Sequence, residues 1–250
     1  MKITVIGASG FLGSSFVQFF RNKCDEIIEF NKHNEIDLQK DYGFVLYCAG
    51  VTFGFRERPF DVIEAHVSKL GQWLQKAKFQ KLIYLSSTRI YQNNLSGSES
   101  QSELLVDLTD VYNQTKILGE TLCQYCEKTL IVRLSNVLDF CPASPYFFWN
   151  FLRMYTKDEG ICLEETADAG RDYICLEDVF HVTEALIGSA NSNGVWNFAS
   201  GFKVSNREIV DIFESIFGKK EVLFGYKSNH FPNVDNRKIL QRINADLLDP

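Results

Sequence analysis

A tyrosine and a lysine stand four residues apart near the middle of the chain, as Tyr112 and Lys116. The surrounding residues have helical periodicity, so both side chains are expected on one face of a helix. A free tyrosine titrates at about pH 10, and a neighbouring lysine cation stabilises the phenolate and lowers that pKa. The spacing therefore favours a tyrosine that exchanges a proton with a carbonyl or carbinol oxygen.

Hydroxyl side chains precede this pair at the end of an apolar run. Ser86 and Ser87 directly follow the run Lys81–Leu85, and a hydroxyl there could hydrogen-bond the same substrate oxygen. The Y-x-x-x-K spacing arises by chance in many proteins. It carries weight here because a second motif stands far upstream.

That second motif is the glycine-rich segment GASGFLG, which runs from Gly7 to Gly13 between a predicted strand and a predicted helix. Gly7 permits a tight turn, Gly10 lets the backbone approach a pyrophosphate, and Gly13 lets the helix pack close to the strand. The helix N-terminus would then bind the phosphates through its free N–H groups. The spacing differs from G-x-G-x-x-G and points to another branch of dinucleotide-binding proteins.

The end of the second predicted strand bears on the choice between NAD and NADP. Folds that prefer NAD commonly place an acidic residue here to hold the ribose hydroxyls, whereas this chain has Asn31, Lys32 and His33. A cation could meet a 2′-phosphate, which favours NADP(H) weakly over NAD(H). Alternatively, Lys32 is a solvated surface charge. Asp37 is placed to contact the adenine.

Short apolar runs alternate with amphipathic stretches through the first half of the chain. The predicted strands are Lys2–Ile6, Glu26–Phe30, Phe44–Cys48, Lys81–Leu85 and Leu130–Leu134. The predicted helices are Phe11–Arg21, Phe60–Ala77 and Val111–Lys128, the last capped by Thr109 or Asp110. This alternation predicts an α/β fold, a Rossmann-type doubly wound parallel sheet.

The alternation loosens after Asn136, where a smaller C-terminal substrate-binding lobe is expected at the carboxyl edge of the sheet. Its predicted elements are helices Tyr146–Tyr155, Asp178–Ile187 and Asn206–Phe217, a strand Val195–Phe198, a loop Cys141–Pro145 and an irregular tail from Tyr226. The expected domains are a dinucleotide-binding domain over residues 1–140 and a lobe over 141–250, of which about 172–200 returns to the sheet.

These motifs together resemble the extended short-chain dehydrogenase/reductase superfamily and, within it, the NAD-dependent epimerase/dehydratase family acting on nucleotide sugars. Further matching segments are Cys48-Ala49-Gly50, Ser86–Tyr91, Arg133–Val137, Arg171–Val179 and Gly194–Gly201. The resemblance implies that Ser87, Tyr112 and Lys116 are catalytic. It implies cofactor contacts from Gly7, Ser9, Gly10, Phe11, Leu12, Gly13, Asn31, Lys32, Asp37, Leu38, Cys48, Ala49, Gly50, Tyr112 and Lys116.

The resemblance also implies substrate contacts, from Ser87, Thr88, Asn136, Arg171 and Lys227. Arg171 would face a nucleotide diphosphate, and Lys227 stands where relatives carry a phosphate-binding arginine. The alternative for Arg171 is a surface ion pair with Asp172 or Asp178.

Departures from the family pattern narrow the reaction. Family dehydratases carry Asp-Glu directly after the catalytic hydroxyl, where this chain has Thr88 and Arg89, so 4,6-dehydration is disfavoured. Relatives that epimerise C3 and C5 use a cysteine near this turn, where this chain has Arg89. His66 occupies a position where relatives often carry asparagine. It is either a second polar group near the nicotinamide or a residue that packs the helix.

The resemblance and these departures favour an NAD(P)-dependent oxidoreductase that reduces a nucleotide-4-keto(-6-deoxy)hexose. Hydride would pass from the nicotinamide to C4 while Tyr112 donates its proton to O4 and Ser87 polarises the carbonyl. A C4 epimerase with tightly bound NAD would use the same residues. A non-catalytic NAD(P)-binding regulatory protein is the alternative from another class.

A homodimer is expected, because relatives pair the two long helices across a two-fold axis. The candidate interface residues are Val67, Leu70, Leu74, Leu118 and Leu122. An interface of this kind needs apolar residues on the outward faces of the helices.

Composition bounds the remaining possibilities. The chain has 250 residues, 45% of them hydrophobic, and a formal net charge of −6, which argues against nucleic acid as the main partner. It shows no long uncharged apolar run and no signal-peptide pattern, so a cytoplasmic location is expected. The seven cysteines read as free thiols, because the C-x-x-C pair Cys123 and Cys126 lies in a helical pattern without a second ligand pair for zinc.

Overall fold

A six-stranded sheet is the frame that positions the candidate site. The computed structural model describes residues 1–52, 54–101, 103–139, 146–157, 160–189 and 192–243. The strands of this sheet are β1 (Lys2–Ile6), β2 (Glu26–Phe30), β3 (Phe44–Tyr47), β4 (Lys81–Ser87), β5 (Thr129–Leu134) and β9 (Gly194–Phe198). They follow the order β2-β1-β3-β4-β5-β9, and the pairs from β2 to β5 are parallel. The predicted Rossmann-type α/β fold is confirmed.

The order of the strands reverses beside β1. The chain passes from β1 to β2 on one side and then to β3 on the other side of β1. At such a switch point the loops that follow the two central strands diverge and leave a crevice at the carboxyl edge of the sheet. Here those loops are the glycine segment that begins at Gly7 and the turn that begins at Cys48.

Helices alternate with these strands. They are α1 (Phe11–Phe20), α2 (Pro59–Ile63), α3 (Lys69–Lys76), α4 (Val111–Gln124) and α6 (Leu176–Ile187). A π-helical turn, Glu64–Ser68, separates α2 from α3, so the single long helix predicted over these residues is wrong in detail. Of the two predicted caps of α4, Asp110 is the one observed, since its carboxylate accepts from the N–H of Asn113 at 3.0 Å.

Helix α4 packs unusually close to the π-helical turn because Gly119 lies at the contact. A Cβ on Gly119 would lie 2.9 Å from the carbonyl oxygen of His66 and would overlap the hydroxyl of Tyr84. Real Cβ atoms do not tolerate such distances to backbone, so the close packing requires glycine. It brings the π-helical turn against the helix that carries Tyr112 and Lys116.

The described chain divides into two compact units. Residues 1–90, 106–134 and 179–196 form one unit, and residues 91–105, 135–178 and 197 onward form the other. The second unit contains helices α5 (Phe147–Thr156), α7 (Asn206–Phe217) and α8 (Arg237–Ile243) and strands β6 (Asn136–Leu138), β7 (Ile161–Glu165), β8 (Gly170–Cys175), β10 (Lys203–Ser205) and β11 (Val222–Lys227). These strands form two small sheets, ordered β10-β8-β6 and β11-β7.

The second unit has its own aromatic core, in which Phe151, Tyr155 and Phe213 are almost fully buried. Helix α7 begins with a capping box, in which the side chains of Ser205 and Glu208 satisfy each other's backbone N–H groups. That signal is local, and the predicted helix Asn206–Phe217 is confirmed. No helix among the described residues is long and apolar enough to cross a membrane.

The predictions are weakest in the later part of the chain. Strand β11 and helix α8 lie wholly or partly in the tail predicted to be irregular, and β6, β7, β8 and β10 were not predicted. These strands have three to six residues, and strands this short rarely show a periodicity that can be read from sequence. The predicted loop Cys141–Pro145 lies outside the described residues.

Candidate active site

The loop between β1 and α1 has a conformation that only its glycines allow. Gly7 has a φ of +80°, which favours glycine, and its N–H donates to the carbonyl oxygen of Phe30 at 2.8 Å. A Cβ on Gly7 would lie 2.9 Å from backbone atoms of Ala49, and one on Gly13 would overlap the carbonyl oxygen of Gly7. The loop, helix α1 and the turn after β3 therefore approach one another more closely than larger residues would permit.

This loop fits the pyrophosphate of a dinucleotide. The first-turn N–H groups of a helix have no partner within the helix, and Gly10 at the N-cap of α1 brings no side chain to occupy them. Ser9 and Gly10 are exposed, and Phe11 and Leu12 are half-buried. An anion therefore has access to the helix N-terminus, where the partial positive charge of the helix favours it.

The residues just after β2 have two different roles. Asn31 holds the glycine loop in place, and Lys32 brings a positive charge. The Asn31 side chain accepts from the N–H of Ser9 at 3.0 Å, so it fastens the glycine loop. Lys32 is exposed, and the ammonium of Lys69 donates to the Lys32 carbonyl oxygen at 3.2 Å. Two cations thus lie beside the end of β2, where the sequence predicted one.

Asp37 and Leu38, predicted to contact the cofactor, lie in the exposed loop after β2. The Asp37 carboxylate accepts from the N–H of Gln39 at 2.9 Å, and the Leu38 side chain is 54% exposed. Both are open to solvent and so remain accessible to a ligand.

Tyr112 and Lys116 lie on one face of α4 and are both buried, with 7% and 5% of their surface exposed. The Lys116 ammonium donates to the carbonyl oxygen of Leu85 at 2.7 Å and lies 5.8 Å from the ring centroid of Tyr112. The side chains of Ser87 and Thr52 lie close enough to the hydroxyl of Tyr112 to lower its pKa. The structure therefore brings Ser87, Tyr112 and Lys116 together within one unit.

Burial dominates the ionisation of this pair. It lowers the pKa of Lys116 to about 8 and raises the pKa of Tyr112, whereas the side chain of Ser87 and the charge of Arg89 lower the latter. The pKa of Tyr112 therefore stands above its ordinary value in this structure, and a lowering by Lys116 stays a prediction from the sequence. Removal from water outweighs the nearby charges, and the main cationic influence on Tyr112 comes from Arg89.

The two serines at the end of β4 have different partners. Ser86 is buried, and its hydroxyl donates to Glu120 at 2.5 Å. Glu120 also forms a buried ion pair with Arg133, with an N–O distance of 2.7 Å. Ser87 is half-buried, and its hydroxyl oxygen accepts from the N–H of Arg89 at 3.1 Å. Ser87 thus contacts Tyr112, while Ser86 and Arg133 belong to a polar cluster of the core.

His66 lies fully buried in the π-helical turn and touches both α4 and the turn after β3. Its Nδ1 is 2.9 Å from the hydroxyl of Thr115, which itself donates to the carbonyl oxygen of Val111 at 2.8 Å. Because Thr115 has one hydroxyl proton, Nδ1 of His66 carries the proton of the ring and donates it. Nε2 is then an acceptor without a hydrogen-bond partner among the residues that the structure describes.

This orphaned acceptor faces the glycine turn after β3. A Cβ on Gly50 would lie 3.1 Å from Nε2 of His66 and 3.8 Å from the ammonium of Lys116. An acceptor and a donor beside a glycine fit the hydroxyl groups of a ligand such as a ribose. The hydrogen bond with Thr115 fits the predicted role of His66 in packing the helix. The available Nε2 supports the alternative, in which His66 is a polar group that contacts a ligand.

Arg171, a predicted substrate residue, lies in the second unit. Its guanidinium forms an ion pair with Glu165 at 2.5 Å and packs against the rings of Phe147 and Phe231, with distances of 5.1 and 5.7 Å to the ring centroids. The predicted pairing with Asp172 or Asp178 is wrong. The Asp172 carboxylate instead accepts from the backbone N–H groups of Ser200 and Gly201.

The other predicted substrate residues have partners of their own within their units. The Asn136 side chain donates to the carbonyl oxygen of Asp172 at 3.0 Å. The Lys227 ammonium pairs with Glu164 at 2.5 Å and its side chain is 56% exposed. The hydroxyl of Thr88 is 3.5 Å from the carbonyl oxygen of Leu134 and the residue is buried. Lys227 and Asn136 are thus exposed, whereas Thr88 is buried.

Sequence analysis missed two neighbours of Tyr112. Thr52 lies close enough to its hydroxyl to lower its pKa, and the Phe55 ring centroid lies 5.2 Å from that of Tyr112. Both follow the glycine turn after β3, in a segment without helical or strand periodicity. Their position at the carboxyl end of a central strand was the available signal.

Replacement of His66 by glutamine should remove a pH dependence of stability. In the unfolded chain the pKa of a histidine is about 6.5, whereas burial lowers the pKa of folded His66 to about 2. Between these values the unfolded chain binds more protons, so the free energy of unfolding falls as pH falls below about 6.5, by up to about 1.4 kcal/mol per pH unit.

Urea unfolding at about pH 7.5 and about pH 5.5 measures this contribution in the native chain and in His66→Gln. The exposed His33, replaced in the same way, is the control. Equal losses of stability in the native chain and in His66→Gln would show that the folded imidazole is protonated or open to water.

Solved structures with the same fold cover the whole chain. UDP-glucuronic acid 4-epimerase from Bacillus cereus, in complex with UDP-glucuronic acid and NAD, is 19% identical, with 100% of this chain and 95% of that chain covered and a TM-score of 0.81. UDP-glucose 4-epimerase from Thermotoga maritima with UDP-glucose is 16% identical, with 100% and 94% covered and a TM-score of 0.81. RMD from Pseudomonas aeruginosa with NADPH is 18% identical, with 100% and 95% covered and a TM-score of 0.76.

Similarity in sequence identifies the family of the chain. No curated protein matches the chain significantly. The model of the NAD dependent epimerase/dehydratase family matches residues 3–199, a span that includes the glycine loop, Ser87, Tyr112 and Lys116. With most of its length matched, the chain belongs to the NAD-dependent epimerase/dehydratase family.

Proposed function

We propose that this chain reduces the keto group of a nucleotide-linked 4-ketohexose with a nicotinamide cofactor. The observation that carries the proposal is the placement of Ser87 beside the buried Tyr112, where the serine side chain lowers the pKa of the phenol, next to Lys116 and within the unit that holds the glycine loop. A phenol and a second hydroxyl that meet at one point can share one substrate oxygen.

The protonation state of Tyr112 suits the role of a proton donor. Burial raises its pKa, so the phenol keeps its proton at neutral pH and is a donor. Ser87 would polarise the carbonyl, and Tyr112 would give its proton to the oxygen as the charge on that oxygen develops. Lys116, fixed on the carbonyl oxygen of Leu85, would hold a ribose hydroxyl and stabilise the phenolate.

The chain's own residues suggest how the cofactor is held. When bound, the cofactor supplies the hydride for the substrate carbon. The first turn of α1 would bind its pyrophosphate, Lys32 would face the adenine-side ribose, and Nε2 of His66 and the ammonium of Lys116 would bind hydroxyl groups near Gly50. Asp37 and Leu38 are placed for the adenine.

A nucleotide sugar is the proposed substrate class. The Bacillus cereus and Thermotoga maritima structures contain UDP-glucuronic acid and UDP-glucose, and Arg171, Asn136 and Lys227 are the residues we propose for the diphosphate and sugar. Dehydration is not proposed, because Thr88 and Arg89 replace the acid and base that dehydratases carry. A cytoplasmic location remains a prediction from the sequence.

A C4 epimerase is the second candidate. Two of the similar structures are 4-epimerases, and the same three residues would serve transient oxidation and re-reduction. An epimerase would keep its cofactor through purification and turnover without net consumption. A reductase would oxidise one NADPH for each sugar reduced.

Replacement of Tyr112 by phenylalanine should lower turnover of a nucleotide-4-ketosugar by about 10²–10⁴-fold, because it removes the proton donor. Affinity for the cofactor should change little. The assay follows NADPH oxidation over a panel of nucleotide-4-ketosugars, with products identified by NMR. Tyr125→Phe, at a tyrosine 88% exposed, is the control. Near-normal turnover in the Tyr112 variant would refute its role.

Replacement of Lys32 by aspartate should abolish a preference for NADPH over NADH. We propose this preference because Lys32 is exposed at the end of β2 with the ammonium of Lys69 on its carbonyl oxygen, where a 2′-phosphate would meet both charges. Titration of both cofactors measures it. Lys128→Asp is the control, because Lys128 is exposed just before β5, at the amino ends of the parallel strands. Equal or tighter binding of NADH by the native chain would contradict the proposal.

We propose a homodimer formed by the α2–α3 segment and α4. Leu118 is 46% exposed on α4, but Leu70 is fully buried, so Leu70 is wrong as an interface candidate. Sedimentation equilibrium at micromolar concentration should give twice the chain mass of 28.7 kDa, and Leu118→Glu should give the monomer mass. Leu223→Glu, at a leucine 58% exposed in the other unit, should remain dimeric. A native monomer would contradict the proposal.

A further inference from the structure

Arg89 is a partly buried cation beside Tyr112, the proposed proton donor, and the proposed reaction assigns it no role. Its guanidinium carbon lies 5.5 Å from the ring centroid of Tyr112 and 5.2 Å from that of Phe55. Its side chain is 25% exposed. A guanidinium over an aromatic face is attracted by the electrons of the ring, so Arg89 and Tyr112 are in electrostatic contact.

Two residues of the first turn of α4 hold this guanidinium in place. One terminal nitrogen of Arg89, Nη1, donates to Asp110 at 2.6 Å and to Asn113 at 2.8 Å. The Asn113 amide donates back to the carbonyl oxygen of Arg89 at 3.3 Å, and Asp110 caps the same helix. The position of the charge is thus tied to the helix that carries Tyr112.

Arg89 is tied to the other hydroxyl as well. Its backbone N–H donates to Ser87 Oγ at 3.1 Å, so one residue contacts both Ser87 and Tyr112. Lys116, by contrast, places its ammonium on the carbonyl oxygen of Leu85 at 2.7 Å. The two cations therefore serve different atoms of the site.

We propose that Arg89 is a positioning residue that acts through Tyr112: its guanidinium, held by Asp110 and Asn113, stabilises the phenolate that remains when Tyr112 gives up its proton. In that step the O–H bond of Tyr112 breaks and the proton goes to the substrate oxygen. The electron pair stays on the phenolate, and the cofactor of the proposed reaction reduces the carbonyl carbon. This catalytic part rests on the proposed function, whereas the coupling of Arg89 to Tyr112 does not.

Other charged and titratable groups face Tyr112 and must be separated from Arg89 in any test. They are Lys116 on the same helix, His66 at a centroid distance of 5.3 Å, Asp110 at the N-cap and Tyr84 on β4. Asp110 acts in the direction opposite to Arg89, since its charge raises the pKa of Tyr112. Variants of Arg89 and Asp110 should therefore shift the pKa of Tyr112 in opposite directions, a result that a purely structural role of Arg89 would not produce.

The test follows the ionisation of Tyr112 by NMR of the chain with isotopically labelled tyrosine, without cofactor or substrate. The resonance is assigned by its absence in Tyr112→Phe. In Arg89→Gln the pKa of Tyr112 should rise by about one pH unit or more. In Asp110→Asn, which keeps a good helix cap and an amide oxygen that still accepts from the Arg89 guanidinium, it should fall, because the negative charge that raises it is removed. Arg89→Lys, which keeps the charge but loses the planar fork, should lie between Arg89→Gln and the native chain.

Arg21→Gln removes a cation paired with Glu29 at 3.1 Å elsewhere in the same unit and should leave the resonance unchanged. Shifts of the same sign in Arg89→Gln and Asp110→Asn, or no shift in either, would overturn the coupling. If the coupling holds and the reaction is as proposed, Arg89→Gln also lowers kcat about tenfold near neutral pH without weakening cofactor binding. Opposite NMR shifts with no reductase activity in the native chain would refute the proposed function alone.

Discussion

The contact between the glycine loop after β1 and the turn after β3 is the constraint from which the site follows. The reversal of strand order places these two segments side by side. A Cβ on Gly7 would lie only 2.9 Å from backbone atoms of Ala49, in the turn after β3. Because no side chain separates them, the first turn of α1, Gly50 and the segment with Thr52 lie along one edge of the sheet. Any larger residue at Gly7 or Gly13 would push these backbones apart.

Burial is the second physical determinant, and it acts on each ionisable group in the direction of its neutral form. It lowers the pKa of Lys116 to about 8 and that of His66 to about 2, and it raises the pKa of Tyr112. The close packing at Gly119 contributes to this burial, because it presses the π-helical turn against α4. The same packing that orders the site therefore sets which groups hold protons at neutral pH.

Several motif residues contribute to folding rather than to chemistry. Arg133 and Glu120 form an ion pair in which each side chain is at most 6% exposed, and Ser86 donates a further hydrogen bond to the Glu120 carboxylate. Asp172 plays a similar part in the second unit, where it holds the backbone of Ser200 and Gly201. A buried charge is tolerated only when its hydrogen-bonding capacity is met, so these segments retain their polar residues for packing reasons.

The sequence by itself determined the features that depend on local chemistry. The glycine spacing, the apolar strands β1 to β5, a helix cap at Thr109 or Asp110 and the Tyr112–Lys116 spacing on one helix face can all be read from neighbouring residues. Tertiary structure decided which serine meets Tyr112, that Asn31 fastens the glycine loop, that Arg171 pairs with Glu165, and that Arg89 rather than Lys116 is the main cation acting on the phenol. The short strands of the second unit were also beyond the sequence. In each of these cases the outcome depends on which distant groups share a site and how much water they lose, and spacing along the chain measures neither quantity.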